Sequence, residues 1–559
     1  MSAIISSESN SSRNLAWKIG QMLVIGFPGG REGLAILRRT VAVTKAGNII
    51  LFSRNTPDAE SARATVAEAR SIIESVTQTP PLVAIDQEGG AVTRLRRGVT
   101  SIPGAMAQAA ACLGGRIGME DIEELGRICG ADLAAQGINW NLAPVADVNV
   151  NPNNPIIGVR SYGERPESVA EFASAFACGL GQAGIMATAK HFPGHGDTVV
   201  DSHLDLPLVG HNLERLRKVE LLPFIRLIAE RIPAVMTSHV RFPAVEPEAL
   251  PATLSSRVLE GLLRRELGFE GIICTDCLEM KAIADHFSNP YVRAVKAGAD
   301  ILFVSHTAEC QIEAFDSIRR AVETGEIPES RIDESVARIM ACKAVYAAGG
   351  GAPLGGNNSG IDDADGLTRR ISFASITTLF GNPEAGRAAS PTAGRILIDV
   401  APSNLTGAED DQEPASIASK LDELRSGWTT CSLAIDPSEA DISEALETAG
   451  LALGPGGTLA LSLYSPFGHR GQVELMRQCA RLMAERGGSL VLLVMRSPYD
   501  APRLAKICSE ASGQEPTFLA AYEYTRLSAA SMATFLAGQS PASGRCPVSL
   551  KFVAAWPHA

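Results

Sequence analysis

The sequence predicts an α/β protein: a (β/α)8 TIM barrel followed by a smaller C-terminal α/β sandwich domain. Three observations carry this reading. Eight short apolar, β-branched runs recur over the first ~340 residues, separated by helix-length amphipathic segments. Polar residues concentrate directly after several of these runs, where a barrel places its chemistry. A glycine-rich stretch then interrupts the pattern before the alternation resumes.

The runs lie at residues 22–27, 48–52, 82–85, 139–145, 186–191, 234–239, 271–275 and 301–304. Eight such units suit a closed barrel better than an open doubly wound sheet. After a helix-like stretch at 334–347, the segment GGGAPLGGNN (349–358) favours a flexible connection over packed structure. Beyond it, runs at 395–400, 458–463, 489–495 and 517–521 alternate with helical stretches such as 473–486. The expected organisation is a serine-rich disordered tail at 1–14, the catalytic barrel at 15–347, a Gly-rich linker at 348–366 and the sandwich domain at 367–559.

Of the 559 residues, 45% are hydrophobic and 20% charged, enough for sizeable cores. The formal net charge of −12 argues against nucleic acid and anionic membranes as partners, because both require a basic surface. No run of about 18 apolar residues is present, and the N-terminus lacks the pattern of a secretory signal. The 11 cysteines are scattered without regular spacing, unlike a disulfide framework. A cytoplasmic protein is expected; nothing in the sequence specifies its oligomeric state. Cys274 and Cys277 have CxxC spacing, but no second CxxC accompanies them and Cys274 lies in an apolar run, so a buried strand cysteine is expected and no metal is assigned.

The third run ends in Asp86-Gln87-Glu88-Gly89-Gly90, the fifth in Lys190-His191, the sixth in Ser238-His239 and the seventh in Thr275-Asp276, and all should face one barrel mouth. Three of the nine histidines fall within 190–203. His191, His195, His203 and the nearby aspartates are usual metal-ligand types, but the spacing is not that of an HExxH helix, and Lys190 would set an ammonium beside a cation. Acid/base work fits better. Asp201 and His203, two apart in an expected loop, would let the carboxylate hold one imidazole nitrogen while the other faces substrate. The anion favours imidazolium, which suits proton donation followed by proton abstraction. His195, between two glycines, reads as a hydrogen-bonded structural residue.

The segments IDQEGG (85–90), APVADVNVNPNNPIIGVRSYG (143–163), KHFPGHGDTVVDSH (190–203), MTSHVRFPAVEP (236–247) and GFEGIICTDCLEM (268–280) resemble glycoside hydrolase family 3, in its β-N-acetylglucosaminidase branch of the peptidoglycan-recycling type. The resemblance implies Asp276 as nucleophile, His203 as general acid/base, and Asp201 as its orienting partner. It implies that Asp86, Arg94, Arg160, Lys190 and His191 hold the sugar, although Arg94 or Arg160 could instead be structural ion-pair partners. The implied reaction is a double displacement on terminal β-linked N-acetylglucosamine of muropeptides or chito-oligosaccharides, without cofactor. Cys277 stands where the family usually has a second acidic residue. VMRSPYD (494–500), AAYEYT (520–525) and AGQSPASGRCPVSL (537–550) resemble the C-terminal domain of two-domain relatives. There Glu523 is a weak candidate for an alternative acid/base, as found in glucoside-acting members. Phosphate in place of water as acceptor, a β-glucosidase of the same family, and a noncatalytic sugar sensor are the competing readings.

Overall fold

The computed structural model describes residues 14–199, 206–347, 363–382, 384, 393–401 and 415–550. Strands β1 (Leu23–Ile25), β2 (Asn48–Leu51), β3 (Leu82–Ile85), β4 (Trp140–Asn141), β5 (Met186–Phe192), β6 (Ala234–Thr237), β7 (Ile272–Cys274) and β8 (Leu302–Val304) form one parallel sheet. Its order runs from β8 beside β1 through to β7, and a parallel bridge between Cys274 and Ile301 joins β7 to the start of β8. The eight apolar runs are thus the staves of a barrel. Every residue in these strands is buried, because the barrel interior takes one face and the surrounding helices the other. Trp140 fills the interior with its indole N–H donating to Thr188 Oγ1 at 2.6 Å and its ring 5.4 Å from that of Phe303.

The second sheet contains β9 (Thr377–Phe380), β10 (Arg395–Val400), β11 (Thr429–Leu433), β12 (Thr458–Leu463), β13 (Ser489–Val494) and β14 (Thr517–Ala520), in the order β9-β14-β13-β12-β10-β11. Only the β9–β14 pair is antiparallel. Its residues alternate between two apolar layers, as period-two side chains require. Ile396, Ile398 and Val400 join Leu475, Met476 and Cys479 of one helix, while Leu397 joins Ile417, Leu421 and Met532 on the opposite face. This is a three-layer sandwich.

Strands β9 and β11 were not expected from the sequence. Both are sheet edges, only partly buried, and TTCSL at β11 lacks a continuous apolar run. The connection expected at 348–366 falls largely outside the described residues. From Ala364 to Ser375 the chain is helical and packs against both the barrel and the second sheet's helices, with Arg370 paired to Asp121 at 3.0 Å and Ser372 Oγ 2.7 Å from Ser531 Oγ. A small apolar cluster of Met106, Ala107, Ala110, Val159, Ala520, Tyr522 and Val548 seals the junction.

Candidate active site

A cavity of about 140 Å³ opens at the C-terminal ends of the barrel strands. The residues that reach it arrive as strand extensions, which is why polar groups directly follow apolar runs in the sequence. Asp86 and Glu88 come from the chain leaving β3, where residues Gln87–Gly89 pair with Val92–Thr93 in a short hairpin. Lys190 and His191 stand in the last residues of β5, Asp276 follows β7, and Arg94 and Arg160 come in from the loops after β3 and β4. Phe52 supplies an apolar wall, its ring capped by the Arg54 guanidinium 4.3 Å from the centroid.

The charges interlock. Lys190 Nζ lies 2.8 Å from Asp86 Oδ1 and 2.6 Å from Glu88 Oε1. Arg160 grips Glu88 with two bonds, Nε to Oε2 at 2.9 Å and Nη2 to Oε1 at 2.7 Å, and Arg94 Nη2 reaches Asp86 Oδ2 at 3.3 Å. Both arginines therefore are ion-pair partners while also lining the cavity. Burial opposes ionisation of Asp86 and Glu88, but Lys190 with Arg94 for the first, and Arg160 with Lys190 for the second, outweigh it. Asp86 is held well below the carboxylate range and Glu88 is pulled down to about 2. For Arg160 and Lys190, burial is likewise outweighed by the carboxylates, so both stay firmly protonated.

Behind this layer sits Asp147, fully buried after β4. Its Oδ2 is 2.7 Å from His191 Nδ1, and its Oδ1 accepts from the backbone N–H groups of His191 at 3.1 Å and His195 at 2.7 Å. One carboxylate thus fixes both histidines' backbone and the imidazole of the first. His195 also lines the cavity, with Nδ1 2.9 Å from Thr198 Oγ1, so it is the hydrogen-bonded residue expected. Burial, then the neighbouring His191, lowers its pKa to about 4, which keeps the ring neutral.

Asp276 is half-buried, with Oδ1 accepting from the Cys277 N–H at 2.7 Å. Cys277 also lines the cavity, and burial, then Glu279, pushes its thiol up to about 12. Cys274 is fully buried within β7, as expected, its Sγ 3.6 Å from Val235 O.

Six of the eight residues singled out in the sequence are brought together: Asp86, Arg94, Arg160, Lys190, His191 and Asp276. The other two, Asp201 and His203, lie outside the described residues. Glu523 does not line this cavity. Glu88 and Asp147 were quoted within motifs but not singled out. The signal was available, since each follows an apolar run within three residues, yet their worth depends on partners from other strands. Among the described residues Asp197, His211 and Glu220 place ligand-type atoms within 4.8 Å of one another, but Arg215 neutralises Glu220 at 2.9 Å and His211 Nε2 is 2.5 Å from Asp197. These donors are already engaged.

Residues 14–342 match the N-terminal domain of glycosyl hydrolase family 3. The chain belongs to that family. A solved structure of a family 3 β-N-acetylglucosaminidase from Paenibacillus sp. str. FPU-7 superposes on this family 3 chain with a TM-score of 0.85 at 38% identity, covering 97% of this chain and 100% of that one. The chain is also similar to beta-hexosaminidase A of Pseudoalteromonas piscicida, 36% identical over 319 residues. That alignment spans 53% of this chain and 53% of the relative, so about half of the relative's length is represented. A beta-hexosaminidase of Methylococcus capsulatus is 37% identical over 275 residues, 49% of this chain and 79% of the relative.

Proposed function

We propose that this family 3 chain is a retaining exo-β-N-acetylglucosaminidase that releases terminal β-linked N-acetylglucosamine from muropeptides or chito-oligosaccharides. The observation that carries the reading is the placement of Asp276 at the end of β7, in one cavity with the Asp86, Glu88, Arg94, Arg160 and Lys190 cluster. A carboxylate faces charged donors and acceptors whose hydrogen bonds to sugar hydroxyls are stronger than neutral ones once water is excluded. The names of the similar β-hexosaminidases and of the Paenibacillus β-N-acetylglucosaminidase support N-acetylglucosamine as the sugar.

In the first step Asp276 attacks the anomeric carbon and forms a glycosyl–carboxylate bond while the glycosidic C–O bond breaks. His203, oriented by Asp201, gives its proton to the leaving oxygen. In the second step the now neutral His203 takes a proton from water, which displaces Asp276 with a second inversion and so restores the β configuration. The cluster around Lys190 holds and orients the ring, so that attack begins from a near-aligned geometry. The scattered, unpaired cysteine usage favours a reducing compartment, the cytoplasm, as the place where this occurs.

The test is an assay of purified protein on a chromogenic β-N-acetylglucosaminide beside the β-glucoside, with and without phosphate, repeated for Asp276→Ala and His203→Ala. Hydrolysis of the N-acetyl substrate, lost in Asp276→Ala and lost on poor leaving groups in His203→Ala, is expected. A sugar-1-phosphate product would identify a phosphorylase instead. Preference for the glucoside would identify a β-glucosidase, and sugar binding without turnover a sensor.

A further inference from the structure

The second domain sets a buried carboxyl against the hairpin of Gln87–Gly89 and Val92–Thr93. Glu523 follows β14 and is presented by Tyr522, whose φ of 64° lies in the left-handed region that non-glycine residues seldom adopt. The Tyr522 hydroxyl donates to Thr377 Oγ1 at 2.8 Å, which anchors the turn. Glu523 is buried; its Oε2 accepts from the Gly104 N–H at 2.6 Å and its Oε1 from the Thr525 hydroxyl at 3.1 Å.

The carboxyl also fills space that two glycines leave open. A Cβ on Gly90 would lie 2.8 Å from Glu523 Oε2 and 2.9 Å from Gly104 Cα, and a Cβ on Gly104 would lie 3.0 Å from the same oxygen. Gly90 closes the hairpin of Gln87–Gly89 and Val92–Thr93, and its N–H donates to Ile102 O at 2.9 Å. Glu523 therefore touches the end of the hairpin whose Glu88 carries Arg160 and Lys190. No cation pairs with it among the described residues, and burial, against the bonds from Gly104 and Thr525, pushes its carboxyl up to about 7.

We infer that Glu523 is a positioning residue: by clamping Gly90 against Gly104 it holds the hairpin, and hence Glu88, Arg160 and Lys190, in register for the substrate. This makes the second domain a working part of the sugar site, and it rests on the reading of the cavity as that site. It also gives Glu523 a task distinct from proton donation, since the residue stands outside the cavity that contains Asp276.

The experiment compares full-length wild type, Glu523→Ala, Glu523→Asp and Glu523→Gln on chromogenic β-N-acetylglucosaminides with good and poor leaving groups, with inhibition by free N-acetylglucosamine as a second readout. Glu523→Ala should raise KM and the inhibition constant about tenfold, the loss of one to two hydrogen bonds, with kcat within about threefold of wild type. Glu523→Gln, which keeps an acceptor for Gly104, should recover most of the affinity, and the ratio of rates on good and poor leaving groups should not move. If Glu523→Ala does not fold, Glu523→Asp, one methylene too short to reach Gly104, carries the same expectation. Unchanged KM in the folded Ala or Asp variant overturns the inference. So does a loss confined to poor leaving groups, which would make Glu523 the proton donor. Wild type that neither hydrolyses these substrates nor binds N-acetylglucosamine would instead sink the functional reading on which the inference rests.

Discussion

Lys190 Nζ lies 2.6 Å from Glu88 Oε1, and Arg160 holds the same carboxylate by both of its oxygens. Glu88 thus neutralises two buried cations, which makes it the keystone of the cluster although it was not among the residues expected to bind sugar. Removing it in Glu88→Ala strands both cations, leaving Asp86 for Lys190 and the weaker pulls of Asp86 and Asp147 for Arg160. Breaking a buried pair in this way costs about 3–5 kcal/mol. For a barrel of this size the unfolding midpoint should fall by roughly 5 °C. Calorimetry of the variant checks this, and an unchanged midpoint would mean that solvent, not Glu88, compensates the two cations.

His195 sets an acid limit on stability. Its folded pKa of about 4 lies below the ordinary 6.5, so between those values the unfolded chain binds the extra proton and the folded chain does not. The stability of the neutral ring is therefore complete above pH 6.5 and lost by pH 4, a fall of about 3 kcal/mol. Glu88 acts in the same sense but lower, since its carboxyl loses its pairing only as the pH drops below 4.5 towards 2. His195→Asn, which keeps a partner for Thr198, should flatten the decline between pH 6.5 and 4. Urea unfolding at pH 7, 5 and 4 measures it; parallel curves for the two proteins would refute the assignment.

How much of this was legible in the sequence depends on which interactions are local. Strand β3 matches its run residue for residue, and β5 differs from its run only by the added Phe192, because burial on both faces leaves a continuous apolar signature. The fourth run, expected over 139–145, narrows to Trp140–Asn141, since Pro144 has no N–H to give a ladder. Asp86, Lys190 and Asp276 could be found by the strand-end rule alone. Glu88 and Asp147 could not be ranked that way, because their importance lies in Arg160, Lys190, His191 and His195, which converge from other strands. The tie between Glu523 and Gly104 spans 419 residues and leaves no local trace.

Cys277 stands beside Asp276 as a neutral group, its thiol pushed up to about 12. Alkylation by iodoacetamide at pH 8 should accordingly be far slower than for an ordinary exposed thiol, as the thiolate is the reactive form. Cys277→Asp would set a second negative charge next to Asp276 and raise the pKa of the pair. The acid limb of the kcat/KM profile should then move up by about one pH unit. Mass spectrometry of the alkylated protein and a pH–rate profile test the two statements separately, and rapid labelling of Cys277 or an unmoved acid limb would count against each.

Tyr499 ties the second domain to the loop that carries Asp147 and Arg160. Its hydroxyl accepts from Asn149 Nδ2 at 2.9 Å and lies 3.2 Å from Asn149 O, to which it donates. Asn149 Oδ1 in turn accepts from the Gly158 N–H at 3.1 Å, two residues before Arg160. Tyr499→Phe leaves the ring's packing and removes only the hydroxyl, so it isolates this chain of bonds. The expected cost is about 1–2 kcal/mol of stability, because Asn149 loses both a donor and an acceptor at a buried junction. If the loop transmits the change to Arg160, KM for the N-acetylglucosaminide should rise a few fold while kcat holds. A stability loss with KM unchanged would confine Tyr499 to bracing the two domains, whereas a fall in kcat alone would place the effect on the chemical step and contradict the route through Arg160.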